Sequence, residues 1–251
     1  MAKIGVVAVP FIRSIDEHMF MIDTIASLQA NQTEHELDLI AVVNKLDDGG
    51  LSLSWLNEHF HCVLLNDENN LAKAWNKGMQ LAFSRGADYC LVINLDLIFH
   101  PKFIDNLVAH ARCFPEAVMW SGRAHPTQAT LDQAPLAADP RPGVEFCAFM
   151  VDQRLRELVG PFDETFRPAY HEDADMAYRI GLKNLATVST SAATYFHFES
   201  VTLQCAMMAN ARDVTQSICV GVARTRKLYE RKWGGPPGEE RFRSPFNQIL
   251  L

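Results

Sequence analysis

The chain has 251 residues, of which 48% are hydrophobic, enough to build the core of one large α/β domain or of two small ones. Its formal net charge is -7, and its lysines and arginines are dispersed, which disfavours a nucleic-acid acceptor or an anionic membrane as the main partner. No stretch approaches the roughly eighteen consecutive apolar residues of a membrane-spanning helix, and no signal-peptide cleavage site follows the N-terminal apolar run.

The cysteines are widely separated and form no C-x-x-C pair, so they predict reduced thiols, mostly in the core, rather than disulfides or a zinc site. They are Cys62, Cys90, Cys113, Cys147, Cys205 and Cys219. This cysteine usage predicts a cytoplasmic protein, either free or peripheral to the inner face of a membrane.

The first half of the chain alternates strand and helix signals. Apolar, β-branched runs predict strands at 3–11, 37–44, 61–66 and 88–96, and helical spacing predicts helices at 16–31 with Asp16 as the cap, 55–60, 69–86 and 101–114. Four apolar strands separated by helices predict an α/β fold with a mostly parallel central sheet and helices on both faces. In such sheets, ligands bind at the carboxyl ends of the strands.

The second half has a different pattern. Strands are predicted at 117–124 and 144–152, an extended segment at 185–198, and helices at 153–160, 172–183 and 202–233. Residues 125–143 contain four prolines and predict a long loop of the functional or mobile kind. We expect one domain over 1–235, divided near residue 120 into a nucleotide-binding half (1–120) and an acceptor-side half (121–235), and a C-terminal tail at 236–251.

Polar residues end the fourth predicted strand in the stretch "LVINLDLIFHP" at 91–101. Asp96, with Asn94 beside it, is placed to bind a hard divalent cation that would hold phosphate oxygens. The alternative is a turn residue that caps the next helix, since Asp and Asn favour such positions.

Acidic residues crowd the start of the predicted helix at 172–183. The positive end of a helix dipole favours carboxylates there, and Asp175 is spaced to pair with Arg179. That explanation leaves Glu172 and Asp173 as adjacent, mutually repelling acids, and a carboxylate at this junction suits proton removal from a hydroxyl group.

His197 lies among aromatic residues in "YFHFES" at 195–200. Such a histidine is either a satisfied core residue or, if the fold brings it to Asp96, a ligand for Mn2+ or Mg2+. The phosphate-loop, dinucleotide-binding and serine-hydrolase motifs are absent from the sequence.

Taken in order, several short motifs resemble the family-2-like glycosyltransferases of GT-A fold, particularly the rhamnosyltransferase-like branch. The motifs are "VVNKLDDGG", "NNLAKAWNKG", "INLDLIF", "GPFDETF" with "HEDADMAYR", "HFESVT" and "YERKWGG". The similarity extends over residues 3–235, and the motifs keep the order they have in the family.

The resemblance implies a single domain that transfers sugars from nucleotide-diphosphate sugars. By position, it makes Asp96 the ligand of a divalent cation (Mn2+ or Mg2+) and of the diphosphate, His197 a further metal ligand, Asp173 the general base and Glu172 its neighbour in the acceptor site. The residues expected around the nucleotide are Pro10, Asn44, Asp47, Asn70, Asn76 and Asn94. Asn94 replaces the first aspartate of the family's D-x-D motif.

We therefore expect a metal-dependent, inverting glycosyltransferase with an acceptor of unknown identity, whether a glycan, a lipid-linked sugar or another hydroxyl compound. The alternatives are an inactive sugar-nucleotide binding protein and a nucleotidyltransferase, although the latter needs a basic N-terminal loop and only Arg13 is available. A basic patch assembled from Arg224, Arg226, Lys227, Arg231 and Lys232 would reopen the question of nucleic acid. The long helical segment either packs on the core or forms a homodimer interface.

Overall fold

The computed structural model describes residues 1–47, 49–134, 136–199, 201–208 and 212–248. The strands are β1 (Lys3–Ala8), β2 (Phe11–Ile12), β3 (Glu36–Val43), β4 (Lys45–Leu46), β5 (Cys62–Leu65), β6 (Tyr89–Ile93), β7 (Leu97–Phe99), β8 (Ala117–His125), β9 (Arg141–Pro142), β10 (Ala148–Val151) and β11 (Ala186–His197). The helices are α1 (Ile15–Gln29), α2 (Leu51–His59), α3 (Leu71–Ser84), α4 (Phe103–Cys113), α5 (Gln153–Leu158), α6 (Glu172–Leu182), α7 (Val201–Met208) and α8 (Arg212–Trp233).

One sheet runs through both halves of the chain in the order β5-β3-β1-β6-β10-β8-β11-β7, with β9 beside β11. Strands β5, β3, β1 and β6 are parallel, as predicted. The other half is mixed, because β10 runs antiparallel to both β6 and β8, and β7 runs antiparallel to β11. Six of the nine strands thus run in one direction, as predicted for a mostly parallel sheet, and β7, β9 and β10 run in the opposite direction.

The connection between β6 and β7 requires the sheet to curl. These strands are separated by residues 94–96, yet four strand spacings lie between them in the sheet. Four spacings measure about 19 Å in a flat sheet, whereas the chain from Ile93 to Leu97 reaches at most about 14 Å. A break in the β8–β11 register between Thr190 and Thr194 supplies a bend. Asp96 thus lies where the edge strand β7 curls back towards the central strand β6.

Helices cover both faces of the sheet, as predicted. Along β1, Val6 packs with Met21 and Ile25 of α1 on one face, and Val7 packs with Trp75 of α3 on the other. The helix α3 lies close against β1, since a Cβ at Gly78 would overlap the Val7 side chain. Asn70 begins this helix by accepting a hydrogen bond from the backbone N of Lys73 at 3.1 Å.

Several boundaries differ from the sequence-based predictions. Ser14, not Asp16, caps α1, because its side chain accepts from the backbone N of Glu17. The strand predicted at 144–152 begins only at Ala148. The long helix predicted at 202–233 corresponds to two helices, α7 and α8, and residues 209–211 between them lie outside the described part of the chain. The proline-rich loop is tied to β11, where the carboxylate of Asp139 accepts from the Ser191 hydroxyl at 2.5 Å.

The helix α8 is joined to the rest of the fold by a buried ionic cluster. The ammonium of Lys232 lies 2.6 Å from a carboxylate oxygen of Asp163 and 2.6 Å from one of Asp175. Asp175 also forms the predicted ion pair with Arg179, at 2.8 Å. The indole of Trp233 donates to Asp175 at 2.8 Å. This cluster excludes Lys232 from the basic patch considered above.

The cysteine prediction is correct for oxidation state and only partly correct for burial. All six thiols are free, but Cys90 alone of them is fully buried, and Cys113 and Cys219 are exposed. Within the described ranges, each helix is too short or too polar to cross a bilayer.

Candidate active site

A cleft of about 590 Å³ opens at the carboxyl ends of β1 and β6. Its walls include five of the residues predicted from the sequence: Asn94, Asp96, Glu172, Asp173 and His197. They come from the β6–β7 connection, the first turn of α6 and the end of β11. The fold therefore brings together side chains that are up to about a hundred residues apart in the chain.

Asp96 and His197 form the tightest polar contact in this group. The antiparallel register pairs Leu97 with His197, and the backbone N of Phe198 donates to the carbonyl of Asp96 at 3.0 Å. The imidazole Nε2 consequently lies 3.3 Å from Asp96 Oδ2. Asp96 is followed by β7 and does not cap α4, whose N-cap is Lys102, so the capping alternative is wrong.

Burial lowers the pKa of His197, but hydrogen bonds to Asp96 and Cys147 outweigh that effect and raise the pKa to about 10. His197 is thus a satisfied histidine, and its ring also lines the cleft next to Asp96, as the metal-ligand alternative requires.

Glu172 and Asp173 have different environments although they are adjacent. Glu172 is only 3% exposed, and its Oε2 has no hydrogen-bond partner among the described residues. Burial raises its pKa, and the charge of Asp173 raises it further, to about 8. Asp173 is partly exposed, and its Oδ1 accepts from the backbone N of Ala174 at 2.7 Å. At neutral pH the Glu172 carboxyl is therefore mostly protonated, which removes the repulsion expected between adjacent carboxylates.

The other predicted nucleotide contacts lie outside the walls of the cleft. None of Pro10, Asn44, Asp47, Asn70 and Asn76 is among the described residues that line it. Asp47 pairs with Lys45 at 2.6 Å, and the carbonyl of Pro10 accepts from the backbone N of Asn44 at 2.9 Å. Their role as nucleotide contacts stays a prediction.

The asparagines of α3 have a visible structural role. Asn76 both donates to the carbonyl of Phe162 and accepts from its backbone N, each at 2.9 Å, and Asn70 donates to the carbonyl of Glu164 at 2.9 Å. They attach α3 to the segment that leads to α6, and so hold two walls of the cleft together.

Several residues of the cleft were not singled out from the sequence. Glu17 of α1 lines it with its carboxylate held by Arg13 at 2.5 Å, and Cys147 and Tyr170 also line it. The sequence signal for Tyr170 was its position two residues before Glu172. For Glu17 and Cys147 no local pattern distinguishes a cleft position from a core position.

The charges in the cleft are strongly asymmetric. Among the described lining residues, Glu17, Asp96, Glu172 and Asp173 are acidic, His197 is the basic side chain, and lysine and arginine are absent. Without a metal, the protonated His197 would be the one cationic side chain on the described walls that a bound diphosphate meets.

Asp96 and His197 suit a divalent cation that is shared with a ligand. In the described part of the chain, no third histidine, cysteine, aspartate or glutamate joins them to make a complete metal site. If the cation displaces the proton of His197, the pair would offer one oxygen and one nitrogen ligand. Coordination positions would remain for phosphate oxygens and water, as at Mn2+ or Mg2+ sites that bind phosphates.

Comparison with known proteins identifies the fold. No protein-family model matches the chain, and no curated protein matches it in sequence. Among solved structures, S. aureus TarS is similar with a TM-score of 0.57 and 12% identity, and TarS 1-349 with 0.56 and 12%. GalNAc-T7, solved with UDP, GalNAc and Mn2+, is similar with 0.61 and 11%.

Each match covers 78% of this chain. The matched part is 36% of TarS, 60% of TarS 1-349 and 44% of GalNAc-T7. The chain therefore corresponds to less than two thirds of each neighbour, and the rhamnosyltransferase-like branch stays a prediction. The chain has the GT-A-like fold of these glycosyltransferases.

Proposed function

We propose that the protein transfers a sugar from a nucleotide-diphosphate sugar to a hydroxyl group of an acceptor, with a divalent cation and with inversion at the anomeric carbon. The carrying observation is that the Asp96–His197 pair and the acidic pair of α6 line one cleft. The GT-A-like fold supports a nucleotide-sugar substrate, and GalNAc-T7 is a neighbour solved with UDP and Mn2+. Inversion rests on the sequence resemblance.

Cation dependence is supported by the charge of the cleft. A nucleotide diphosphate brings negative charge beside Asp96, and the described walls offer no lysine or arginine to offset it. Asp96 and a deprotonated His197 would hold a divalent cation, which would supply that positive charge at the departing diphosphate.

Asp173 is the proposed general base. It lies in the first turn of α6, where the helix dipole favours negative charge, and it is the more exposed carboxyl of the pair, whereas burial raises the pKa of Glu172 to about 8. Asp173 takes the proton of the acceptor hydroxyl as that oxygen forms a bond to the anomeric carbon. The bond from this carbon to the diphosphate oxygen breaks, and its electron pair leaves with the nucleotide diphosphate.

One observation favours a second candidate, an inactive protein that binds sugar nucleotides. Asn94 lines the cleft where the family pattern has a carboxylate, and an amide attracts a cation less strongly. A nucleotidyltransferase is disfavoured, because a triphosphate needs more positive charge than the described walls provide.

A donor screen tests the proposal. UDP-, GDP- and dTDP-sugars are each incubated with the protein, with and without Mn2+, and both thermal stabilisation and release of the nucleotide diphosphate are measured. We expect one donor class to stabilise the protein only with Mn2+ and to be consumed. Stabilisation without consumption across acceptor mixtures would favour the binding protein, and no stabilisation by any donor would reject both.

Two variants separate the proposed roles. Asp173→Asn should lower transfer by about two to four orders of magnitude while donor affinity changes less than about twofold. Asp96→Ala should abolish the Mn2+-dependent part of donor binding. Asp23→Asn, at an exposed position of α1, is the matched control for both. Full transfer by Asp173→Asn would remove that residue as base, and an unaltered Mn2+ dependence in Asp96→Ala would remove the cation site.

A further inference from the structure

Tyr170 is an exposed aromatic residue on the wall of the cleft. Its side chain is 47% exposed, whereas Trp75, which lines the same cleft, is 3% exposed. Tyr170 stands two residues before Glu172 and three before the proposed base. A single exposed aromatic is ordinary on a protein surface, so its significance depends on what holds it there.

The backbone at Tyr170 adopts a conformation that is costly for its residue type. Tyr170 and His171 have φ values of 78° and 69°, in the left-handed region that residues with a Cβ rarely occupy. Such positions persist where the surrounding structure enforces them, and they concentrate at functional sites.

His171 supplies the enforcing contact. Its Nδ1 lies 3.1 Å from the hydroxyl oxygen of Thr225, a buried residue of α8 that is 1% exposed. The centroid of the His171 ring is 6.1 Å from the centroid of the Tyr229 ring. His171 therefore points towards α8, while Tyr170 lines the cleft on the other side of the turn. The conformation of this turn presents an aromatic ring to whatever occupies the acceptor side.

The polar groups beside this ring limit the chemistry of the occupant. The carboxyl groups of Asp96 and Asp173 disfavour an anionic acceptor. The buried Oε2 of Glu172, a residue of the cleft wall, has no hydrogen-bond partner among the described residues, and a ligand with hydroxyl groups would supply one. A sugar ring has both features, since it presents hydroxyl groups at its edge and C–H groups on its face. The negative face of an aromatic ring attracts such C–H groups.

We propose that the acceptor is an uncharged saccharide whose ring stacks on Tyr170 and whose hydroxyl group contacts Glu172. This inference rests on the proposed glycosyltransferase function and names the substrate class of the same cleft. We assign Tyr170 to acceptor binding, because it adjoins the proposed base in the chain, whereas the cation pair comes from the β6–β7 connection and β11.

Direct binding measurements test the inference without a need for turnover. Saturation-transfer NMR with the nucleotide diphosphate and Mn2+ present would compare methyl glycosides of neutral hexoses with methyl glucuronide. The variants are Tyr170→Phe, which keeps the ring, and Tyr170→Gly, which removes the ring and also relieves the left-handed strain, so the fold is kept. Leu158→Ala is the matched control, since Leu158 is also 47% exposed but lies outside the cleft.

We expect at least one neutral glycoside to bind through its ring-face protons, and Tyr170→Gly to weaken this binding about tenfold. Tyr170→Phe and Leu158→Ala should bind as the wild type does, and glucuronide should bind more weakly than its neutral counterpart. Equal binding by Tyr170→Gly, or glucuronide binding as tight as neutral binding, would overturn the inference.

Failure of the proposed function has a different signature. Glycoside binding that depends on Tyr170, without transfer from any donor in the screen, would reject the acceptor role and the transferase together. Transfer that proceeds with an unchanged acceptor KM in Tyr170→Gly would reject only the inference.

Discussion

The buried ammonium of Lys232 provides the sharpest test of how α8 supports the candidate active site. Its side chain is 7% exposed and lies between Asp163, which is 25% exposed, and Asp175, which is fully buried. Asp175 is two residues after the proposed base in α6. We expect Lys232→Met, which keeps the aliphatic length and removes the charge, to lower the free energy of unfolding.

The size of the loss in unfolding free energy depends on which hydrogen-bond and ion-pair partners each carboxylate keeps in Lys232→Met. Asp175 keeps Arg179 at 2.8 Å and the indole of Trp233 at 2.8 Å, so most of the loss falls on Asp163, which keeps only the backbone and hydroxyl groups of Thr165. Breaking a buried pair costs about 3–5 kcal/mol. Because Asp163 is partly exposed, we expect the lower end, about 3 kcal/mol.

The assay is guanidinium unfolding of the wild type, Lys232→Met and Lys227→Met. Lys227 is an exposed lysine of the same helix, and its replacement should change the free energy of unfolding by less than about 0.5 kcal/mol. Adding Asp163→Asn to Lys232→Met should recover much of the loss, because it removes the unpaired charge. Equal stabilities of the two lysine variants, or no recovery in the double variant, would refute the argument.

Acidification gives an independent check on the same cluster. Burial raises the pKa of Asp163, but hydrogen bonds from Lys232 and Thr165 outweigh it and hold the pKa below its usual value. A carboxyl group whose pKa is lower in the folded state stabilises the protein at neutral pH, and that contribution is lost as the pH falls through the folded-state pKa. In Lys232→Met, the free energy of unfolding should therefore fall less steeply with decreasing pH on the acidic side than it does in the wild type.

Two further predictions concern Glu172 and Gly78. Because the folded protein holds the pKa of Glu172 near 8, above its usual value of 4.5, the folded state binds more protons between these values, and stability should fall with rising pH by up to about 1.4 kcal/mol per unit. Glu172→Gln should remove that slope in unfolding measurements from pH 5 to 8, and parallel profiles would contradict the assignment. Gly78→Ala should lower the unfolding free energy by about 1–3 kcal/mol, because the added Cβ would overlap Val7. Gly181→Ala, at an open helical position, should be neutral or stabilising by up to about 1 kcal/mol, and equal effects of the two would disprove the close approach of α3 to β1.

The parts of the fold that depend on local pattern were predictable. Apolar β-branched runs predicted β1, β3, β5 and β6, and apolar residues at helical spacing predicted α1, α3, α4 and α6. The direction of β10 was not predictable, because a buried run reads the same in either direction and its neighbours in the sheet are far away in the chain. The short strand β7 was not predicted for a similar reason, since its partner residues in β11 lie about a hundred positions later in the chain.

The sequence by itself determined which chemistry the chain carries: a carboxylate at the end of a buried strand, an acidic pair at the start of a helix and a late histidine among aromatics. Only the tertiary structure decided that Asp96 meets His197, because the curl of the sheet sets that distance. It also decided that Glu172 is buried beside a partly exposed Asp173 and that Tyr170 lines the cleft. Burial, charge proximity and a left-handed turn depend on residues distant in the chain, and no local pattern encodes them.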